Sequence, residues 1–250
     1  MNRFSDPLDQ ARAAAHAAGE YAGQESFMGA GEIRLLAGRA GITAATSVLD
    51  LCCGSAGPGL LIARELGPIY FGVDRDPRSI EVARERARGL RCRFQVATVP
   101  PLPDGRFDVV LLLETMLAFA DKRPLVAAIA DALAPGGRFA FTLEEGAPLT
   151  DAERAQMPGA DTVWPIPLDA MRHLLAAAGL DVRWQHDYTA LHRDTAEALV
   201  RSYAEAAPAI AAEIGDAGLE RLLASHRMWA RWLAGGRIRK LAMVAEKGCS

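Results

Sequence analysis

Short apolar runs alternate with amphipathic stretches through the middle of the chain. Ser47 to Leu51 reads as a buried strand; after a turn of small residues, Leu60-Leu61-Ile62-Ala63-Arg64 continues with helical character. Tyr70-Phe71-Gly72-Val73-Asp74 predicts the second strand. Asp76-Pro77 caps a helix running to about Ala87, with Ile80, Ala83 and Ala87 on its buried side. Arg91 to Ala97 predicts the third strand, Pro100 to Gly105 a rigid turn, and Phe107 to Leu113 the fourth strand. Pro124 to Leu133 predicts a helix stopped by Ala134-Pro135-Gly136-Gly137, followed by the fifth strand from Arg138 to Leu143. Strands alternating with helices imply an α/β fold with a doubly wound, mostly parallel sheet, whose ligands sit beyond the carboxyl ends of the strands.

The flanks read as helical. Asp9 to Ala18 and Gly31 to Arg39 predict two helices, the second with Ile33, Leu36 and Ala37 on one side, separated by a break from Gly23 to Met28. Beyond the fifth strand, Pro148 to Pro167 is punctuated by proline and glycine and carries Trp164. Leu168 to Ala178 predicts a helix, and Asp181 to Tyr188 and Ile238 to Glu246 predict strands. Between those strands, Asp194 to Ala206, Pro208 to Ile214 and Leu219 to Leu233 read as three helices, Pro208 breaking the second from the first.

Charge and composition narrow the classes. A net charge of -3 argues against a nucleic-acid partner held by phosphate contacts. Cys52, Cys53, Cys92 and Cys249 lack paired metal spacing and read as reduced thiols. Neither a signal peptide nor a long apolar run is present, so a soluble, cytoplasmic protein without a membrane partner is expected.

The chemistry concentrates at Ser47 to Leu60. Gly54, Gly57 and Gly59 permit positive φ and close approach of a ligand, Pro58 suits a first helical turn, and the helix N-terminus offers free N–H groups. Asp74, about twenty residues on, is placed to accept hydrogen bonds from ribose hydroxyls. Gly54, Ala56 and Gly59 also fit a loose dinucleotide fingerprint, which leaves an NAD(P)-dependent oxidoreductase as a rival. Asp50, ahead of the glycines, would repel a pyrophosphate and suits an ammonium or sulfonium group. A plain βαβ turn without ligand and a non-catalytic cofactor-binding protein are the further alternatives.

Val48-Leu49-Asp50-Leu51-Cys52-Cys53-Gly54-Ser55-Ala56 resembles the first motif of the class I S-adenosylmethionine-dependent methyltransferases, with Cys52 and Ala56 where glycine is usual. The Pro103-Asp104-Gly105 turn, the Phe107 to Val110 strand and the Pro135-Gly136-Gly137 helix end resemble later motifs, so the likeness covers roughly residues 45–146. The resemblance implies a single domain with a seven-stranded sheet closed by an antiparallel hairpin: a helical cap over 1–45, a core at 46–188 and 237–250, and a helical lid at 189–236. It further implies a small-molecule acceptor methylated by in-line displacement at O, N or C. The alanine- and arginine-heavy composition is associated with secondary metabolism, and a monomer or homodimer is expected. For the cofactor the resemblance implies Asp50, Cys53, Gly54, Ser55, Gly57, Asp74, Arg75, Ala97, Thr98 and Glu114, with Tyr21 and Gln24 from the cap. The usual acid before the adenine contact is absent, Val96 standing there.

Methyl transfer from a sulfonium needs alignment more than covalent catalysis, with a base where the nucleophile holds its proton. Candidates at strand ends and in the lid are Glu114, Glu144, His186 and His192 for catalysis. Glu25, Trp164, His226 and Trp229 are the candidates for substrate contact.

Overall fold

The structure is a computed structural model and describes residues 6–157 and 163–248; Cys249 and positions 158–162 of the proline-punctuated segment lie outside the described residues. Helices α1 (Pro7–Ala15) and α2 (Ala30–Arg39) precede the alternating core of β1 (Ser47–Leu51), α3 (Gly57–Leu66), β2 (Ile69–Asp74), α4 (Pro77–Arg86), β3 (Cys92–Val96), β4 (Phe107–Leu112), α5 (Arg123–Ala132) and β5 (Leu133–Glu145). Then come α6 (Asp151–Ala155), α7 (Leu168–Ala177), β6 (Leu180–Asp187), α8 (Thr189–Glu205), α9 (Ala207–Ile214), α10 (Asp216–Ala234) and β7 (Arg239–Lys247).

One sheet holds all seven strands in the order β3-β2-β1-β4-β5-β7-β6. β1 to β5 pair in parallel, and β7 runs antiparallel between β5 and β6. Side chains of a strand alternate between faces, so each face buries its own set. Leu49, Leu51, Val73, Val110, Leu112 and Phe141 pack on one side against α5 and α7. Val48, Tyr70, Val109, Leu111 and Ala140 pack on the other against α2, α3 and α4.

A third apolar cluster lies off the sheet. It joins Ala11 of α1 and Phe27 to Ala196, Leu199 and Tyr203 of α8, Ile210 of α9 and Met228, Trp229 and Leu233 of α10. The expected cap over residues 1–45 therefore divides physically. Leu8, Ala11, Ala15 and Phe27 pack with the insertion, whereas Ile33, Leu36 and Ala37 of α2 belong to the sheet core.

Several boundaries differ from the sequence expectation. α1 starts at Pro7 because Asp6 accepts a hydrogen bond from the Leu8 amide at 2.8 Å. β5 begins at Leu133, its pairing to β4 resuming at Arg138 after a register shift. α8 begins at Thr189 and not at Asp194, since Asp187 accepts from the Thr189 amide at 2.9 Å and turns the chain straight from strand into helix. His192, expected at the opening of the insertion and ahead of its first helix, is thereby a residue of α8.

Gly59 sits hard against β2: a Cβ there would collide with the Tyr70 hydroxyl and ring. Gly59→Ala is expected to destabilise by about 1–3 kcal/mol in denaturant unfolding, through overpacking. A change within experimental error would show that this contact is not tight.

Candidate active site

The sharp turn after β1 is built from unusual residues. Cys52 and Ala56, the two side chains standing where glycine was anticipated, both adopt left-handed backbone, with φ of 56° and 60°. For residues with a Cβ this costs on the order of 1 kcal/mol each, so the turn is imposed by its surroundings. The Cys53 amide donates to the Val73 carbonyl at 3.0 Å and the Gly54 amide to Asp74 Oδ2 at 2.8 Å. Asp74 Oδ1 accepts from the Asp76 amide at 2.9 Å, which fixes the carboxylate at the end of β2. A Cβ added at Gly54 would meet nothing within 4 Å, so the space over this turn is open. Arg86 of α4 donates to Ser55 Oγ at 3.2 Å and lies where a Cβ on Gly23 would stand, so one guanidinium braces both the turn and the cap.

Asp50 lies buried beneath the turn, its Oδ2 accepting from the Tyr70 hydroxyl at 2.5 Å. Burial pushes its carboxyl up to about 7; the Tyr70 hydrogen bond opposes this and the neighbouring Asp74 charge adds to it. Burial also drives the Cys52 thiol up to about 12 and the Cys53 thiol higher still, so both remain protonated. Among the described residues, no group of three or more His, Cys, Asp and Glu side chains is arranged to hold a metal. Two carboxylates flanking an open glycine turn suit a ligand with hydroxyls and a cation, and oppose a diphosphate.

A second polar group occupies the ends of the neighbouring strands. Lys240 Nζ donates to Glu114 Oε2 at 2.7 Å and to Glu144 Oε1 at 2.5 Å. The ammonium is 3 % exposed and the Glu144 side chain 1 %, so this is an ion triad in a nearly dry site. Burial alone would raise Glu114 and lower Lys240, but their attraction wins: Glu114 is held below its usual range and Lys240 above. Glu114 also takes left-handed backbone, φ 55°, and its amide donates to Thr142 Oγ1 at 2.5 Å. Lys122 flanks the group, its Nζ donating to the Phe119 and Trp164 carbonyls at 2.7 Å each; burial lowers it to about 8, with Glu144 opposing.

His192 Nε2 stands 2.7 Å from Glu32 Oε2, joining α8 to α2 in a buried pair. Phe27 roofs the whole group: its ring centre is 6.1 Å from those of His192 and Trp229 and 5.7 Å from Lys240 Nζ. His226 packs edge-on against Phe27 and Tyr203, and its Nδ1 donates to the Leu222 carbonyl at 2.8 Å.

The structure thus brings Asp50, Cys53, Gly54, Ser55, Gly57 and Asp74 to one turn, and Glu114, Glu144, His192, Trp229 and His226 to the adjoining buried group. Other expected residues stand elsewhere. Gln24 spends both amide hydrogens on the Glu20 and Met28 carbonyls, and its oxygen accepts from the Ala22 amide, so it braces the cap and has no N–H left for a cofactor. Tyr21 donates to Asp9 at 3.1 Å. Glu25 is exposed beside Arg12. The Ala97 amide, expected at the adenine edge, donates instead to the Asp74 carbonyl at 2.9 Å, while Thr98 and Arg75 are exposed next to the turn. Trp164 has its ring covered by Arg154, 3.6 Å away, and contributes only its carbonyl to Lys122. His186 is exposed on the outermost strand, its ring centre 4.5 Å from that of Tyr188.

Sequence reasoning passed over Lys240, Glu32, Tyr70, Phe27 and Lys122. Lys240 carried a readable signal, a lone lysine opening the apolar run Leu241 to Ala245. Because β7 runs antiparallel, its first residues reach the edge where the parallel strands end, and Lys240 pairs with Glu144. Glu32 stands in the sequence between buried Ala30 and Ile33 with nothing to mark its partner 160 positions away.

A seven-stranded sheet of this order, with acids flanking a glycine turn at its carboxyl edge, defines the class I S-adenosylmethionine-dependent methyltransferases. The chain belongs to the methyltransferase-domain family, whose pattern matches residues 42–188. It is 30% identical over 186 residues to the methyltransferase GfsG of Streptomyces halstedii, covering 70% of this chain and 67% of that one. It is 31% identical to the 27-O-demethylrifamycin SV methyltransferase of Amycolatopsis mediterranei, over 58% of each chain. Among solved structures, the [4+2]-cyclase SpnF superposes with a TM-score of 0.77 at 18% identity, covering 99% of this chain and 94% of that one; at such identity the likeness concerns the fold alone. The cofactor is S-adenosylmethionine, and the open, acid-flanked turn fits it. No helix among the described residues is long and apolar enough to cross a membrane.

Two outcomes test the cofactor end. Asp74→Ala is expected to weaken S-adenosylhomocysteine by roughly tenfold or more in calorimetry, through loss of charge-assisted hydrogen bonds; unchanged affinity would remove Asp74 from the site. The folded protein also retains a proton on Asp50 that the unfolded chain releases between about pH 4 and pH 7, so Asp50 lowers stability as pH rises through that window. A cationic ligand favours the charged form and expels this proton. S-adenosylmethionine affinity should therefore rise between about pH 5.5 and 7.5 with measurable proton release, and Asp50→Asn should abolish both effects.

Proposed function

We propose that this protein methylates a small molecule, of the kind made in secondary metabolism. The observation that carries this reading is the enclosure of the strand-end group: Glu114, Glu144 and Lys240 lie under Phe27 and Trp229, beneath a helical layer of α1, α8, α9 and α10. A covered, aromatic-roofed group suits a compact acceptor and leaves little room for a folded protein or a nucleic-acid strand. The likeness to GfsG and to the rifamycin methyltransferase supports the same reading.

S-adenosylmethionine supplies an activated methyl group when bound. Asp50, Gly54, Ser55 and Gly57 would hold its methionine portion and Asp74 its ribose. Glu114, rigid in its left-handed turn between the two groups, would position donor and acceptor relative to one another. Phe27 and Trp229 exclude water, which strengthens every polar contact beneath them. Glu144 and His192 are the groups best placed to act on the acceptor, while exposed His186 is set apart from them.

Incubating a metabolite extract with the protein and methyl-deuterated S-adenosylmethionine should yield a labelled small molecule by mass spectrometry. Glu144→Gln should reduce its formation about tenfold or more, with S-adenosylhomocysteine affinity kept within about twofold. His186→Ala should leave both nearly unchanged. Stabilisation of the melting temperature by NAD and not by S-adenosylhomocysteine would sink the proposal.

A further inference from the structure

Four buried side-chain atoms here lack hydrogen-bond partners: the Tyr188 hydroxyl, which can donate as well as accept, and three on the ion group itself, Glu114 Oε1, Glu144 Oε2 and His192 Nδ1. Buried polar atoms are nearly always paired, so three on one contiguous group call for a ligand. Contiguity rests on four links. Lys240 bridges the two carboxylates. Thr189 Oγ1, one turn before His192 on α8, accepts from the Lys240 amide at 3.0 Å. Phe27 touches both His192 and Lys240. Tyr188 stacks on His192 with ring centres 6.0 Å apart.

All three atoms are acceptors. A carboxylate oxygen accepts, so the hydrogen shared with Glu32 sits on His192 Nε2, and a ring carrying that one hydrogen presents a lone pair at Nδ1. The charged groups facing one another are Glu32, Glu114 and Glu144 against Lys240 and Lys122, so with a neutral imidazole the negative charges outnumber the positive. A ligand group that donates hydrogen bonds answers the first deficit, and a protonated amine answers both; one that only accepts would answer neither.

Resting on the methyl-transfer reading above, we infer that the methylated atom is a proton-bearing heteroatom, a hydroxyl or a protonated amine. It lies among Glu114 Oε1, Glu144 Oε2 and His192 Nδ1: a hydroxyl gives its one hydrogen to His192, whereas a protonated amine gives one to His192 and donates its others to the two carboxylates, with Glu32 as the positioning residue. The imidazole lone pair accepts the acceptor's proton at Nδ1, leaving the heteroatom's electron pair to form the bond to the methyl carbon. The electrons of the broken carbon–sulfur bond stay on sulfur, so the donor leaves as a neutral thioether. Glu32 stabilises the resulting imidazolium, as an orienting carboxylate does for a histidine base. α2 supplies Glu32 and α8 supplies His192, so the base is complete only when the N-terminal helices and the insertion are docked together.

The test uses the full chain, labelled with ¹⁵N-histidine and saturated with S-adenosylhomocysteine as verified by calorimetry. The probes are 1-butanol, butylammonium and, as a shape control without a donor, 1-fluorobutane. The wild-type His192 spectrum is expected to show hydrogen on Nε2 and none on Nδ1. A shift of the Nδ1 signal by butanol marks a hydroxyl acceptor and a shift by butylammonium an amine acceptor; either supports the inference. Glu144→Gln should weaken butylammonium, where that is the effective probe, about tenfold, and Glu32→Gln should mix the tautomers, an effect that loss of helix packing alone would not produce. A hydrogen fixed on Nδ1, an equal response to 1-fluorobutane, or silence from both donor probes at about 100 mM, far above the millimolar range of weak fragments, would overturn it. Failure of the protein to bind S-adenosylhomocysteine would instead overturn the methyl-transfer reading, before any probe is added.

Discussion

A single buried ammonium holds the working edge of this molecule together. Lys240 meets Glu114 and Glu144, which ties the ends of β4 and β5 to the start of β7. In a nearly dry site such a triad is stable only because each ion finds opposite charge; removing one partner leaves the others desolvated and uncompensated. The position of Lys240 follows from topology. A strand that runs against its neighbours brings its first residues to the edge where theirs finish, so a lysine opening β7 faces the acids closing β4 and β5.

From that anchor the outer layer takes its place. Thr189 accepts from the Lys240 amide, which seats the first turn of α8, and His192 in the next turn reaches Glu32 on α2. Phe27 then fills the space between His192, His226 and Trp229. Separately, Arg86 links the glycine turn to the cap at Gly23. Donor side and acceptor side are thus braced by different groups, which permits variants that disturb one without the other.

The alternation of strands and helices, the parallel core and the glycine turn were legible because each rests on local pattern. Asp50 and Asp74 could be placed for the same reason, standing at strand ends marked by apolar runs. What escaped depends on pairing across long stretches of chain. Glu32 and His192 meet over 160 residues, and Lys240 matters only once the direction of β7 is known. Gln24 misled because a buried amide in a loop reads the same whether it serves a ligand or, as here, its own backbone. The Ala97 amide misled because its hydrogen bond is spent on extending the β2–β3 ladder.

The division of acids between the two sides also bears on rate. A carboxylate close to a sulfonium favours the reactant, since the positive charge leaves sulfur as the methyl group moves. Only interactions that strengthen toward the transition state accelerate the reaction. Asp50 and Asp74 lie beneath and beside the glycine turn, where on the proposed reading they would affect binding of the donor's outer groups. Glu114, Glu144 and the Glu32–His192 pair form the second group, where the proposed reaction would bring charge as the acceptor is methylated or surrenders its proton. Covered by Phe27 and Trp229, their fields would act on that charge with little screening, and they are already oriented by Lys240 and by helix packing. The proposed reaction would thus bind its donor with one set of acids and stabilise the moving charge with another.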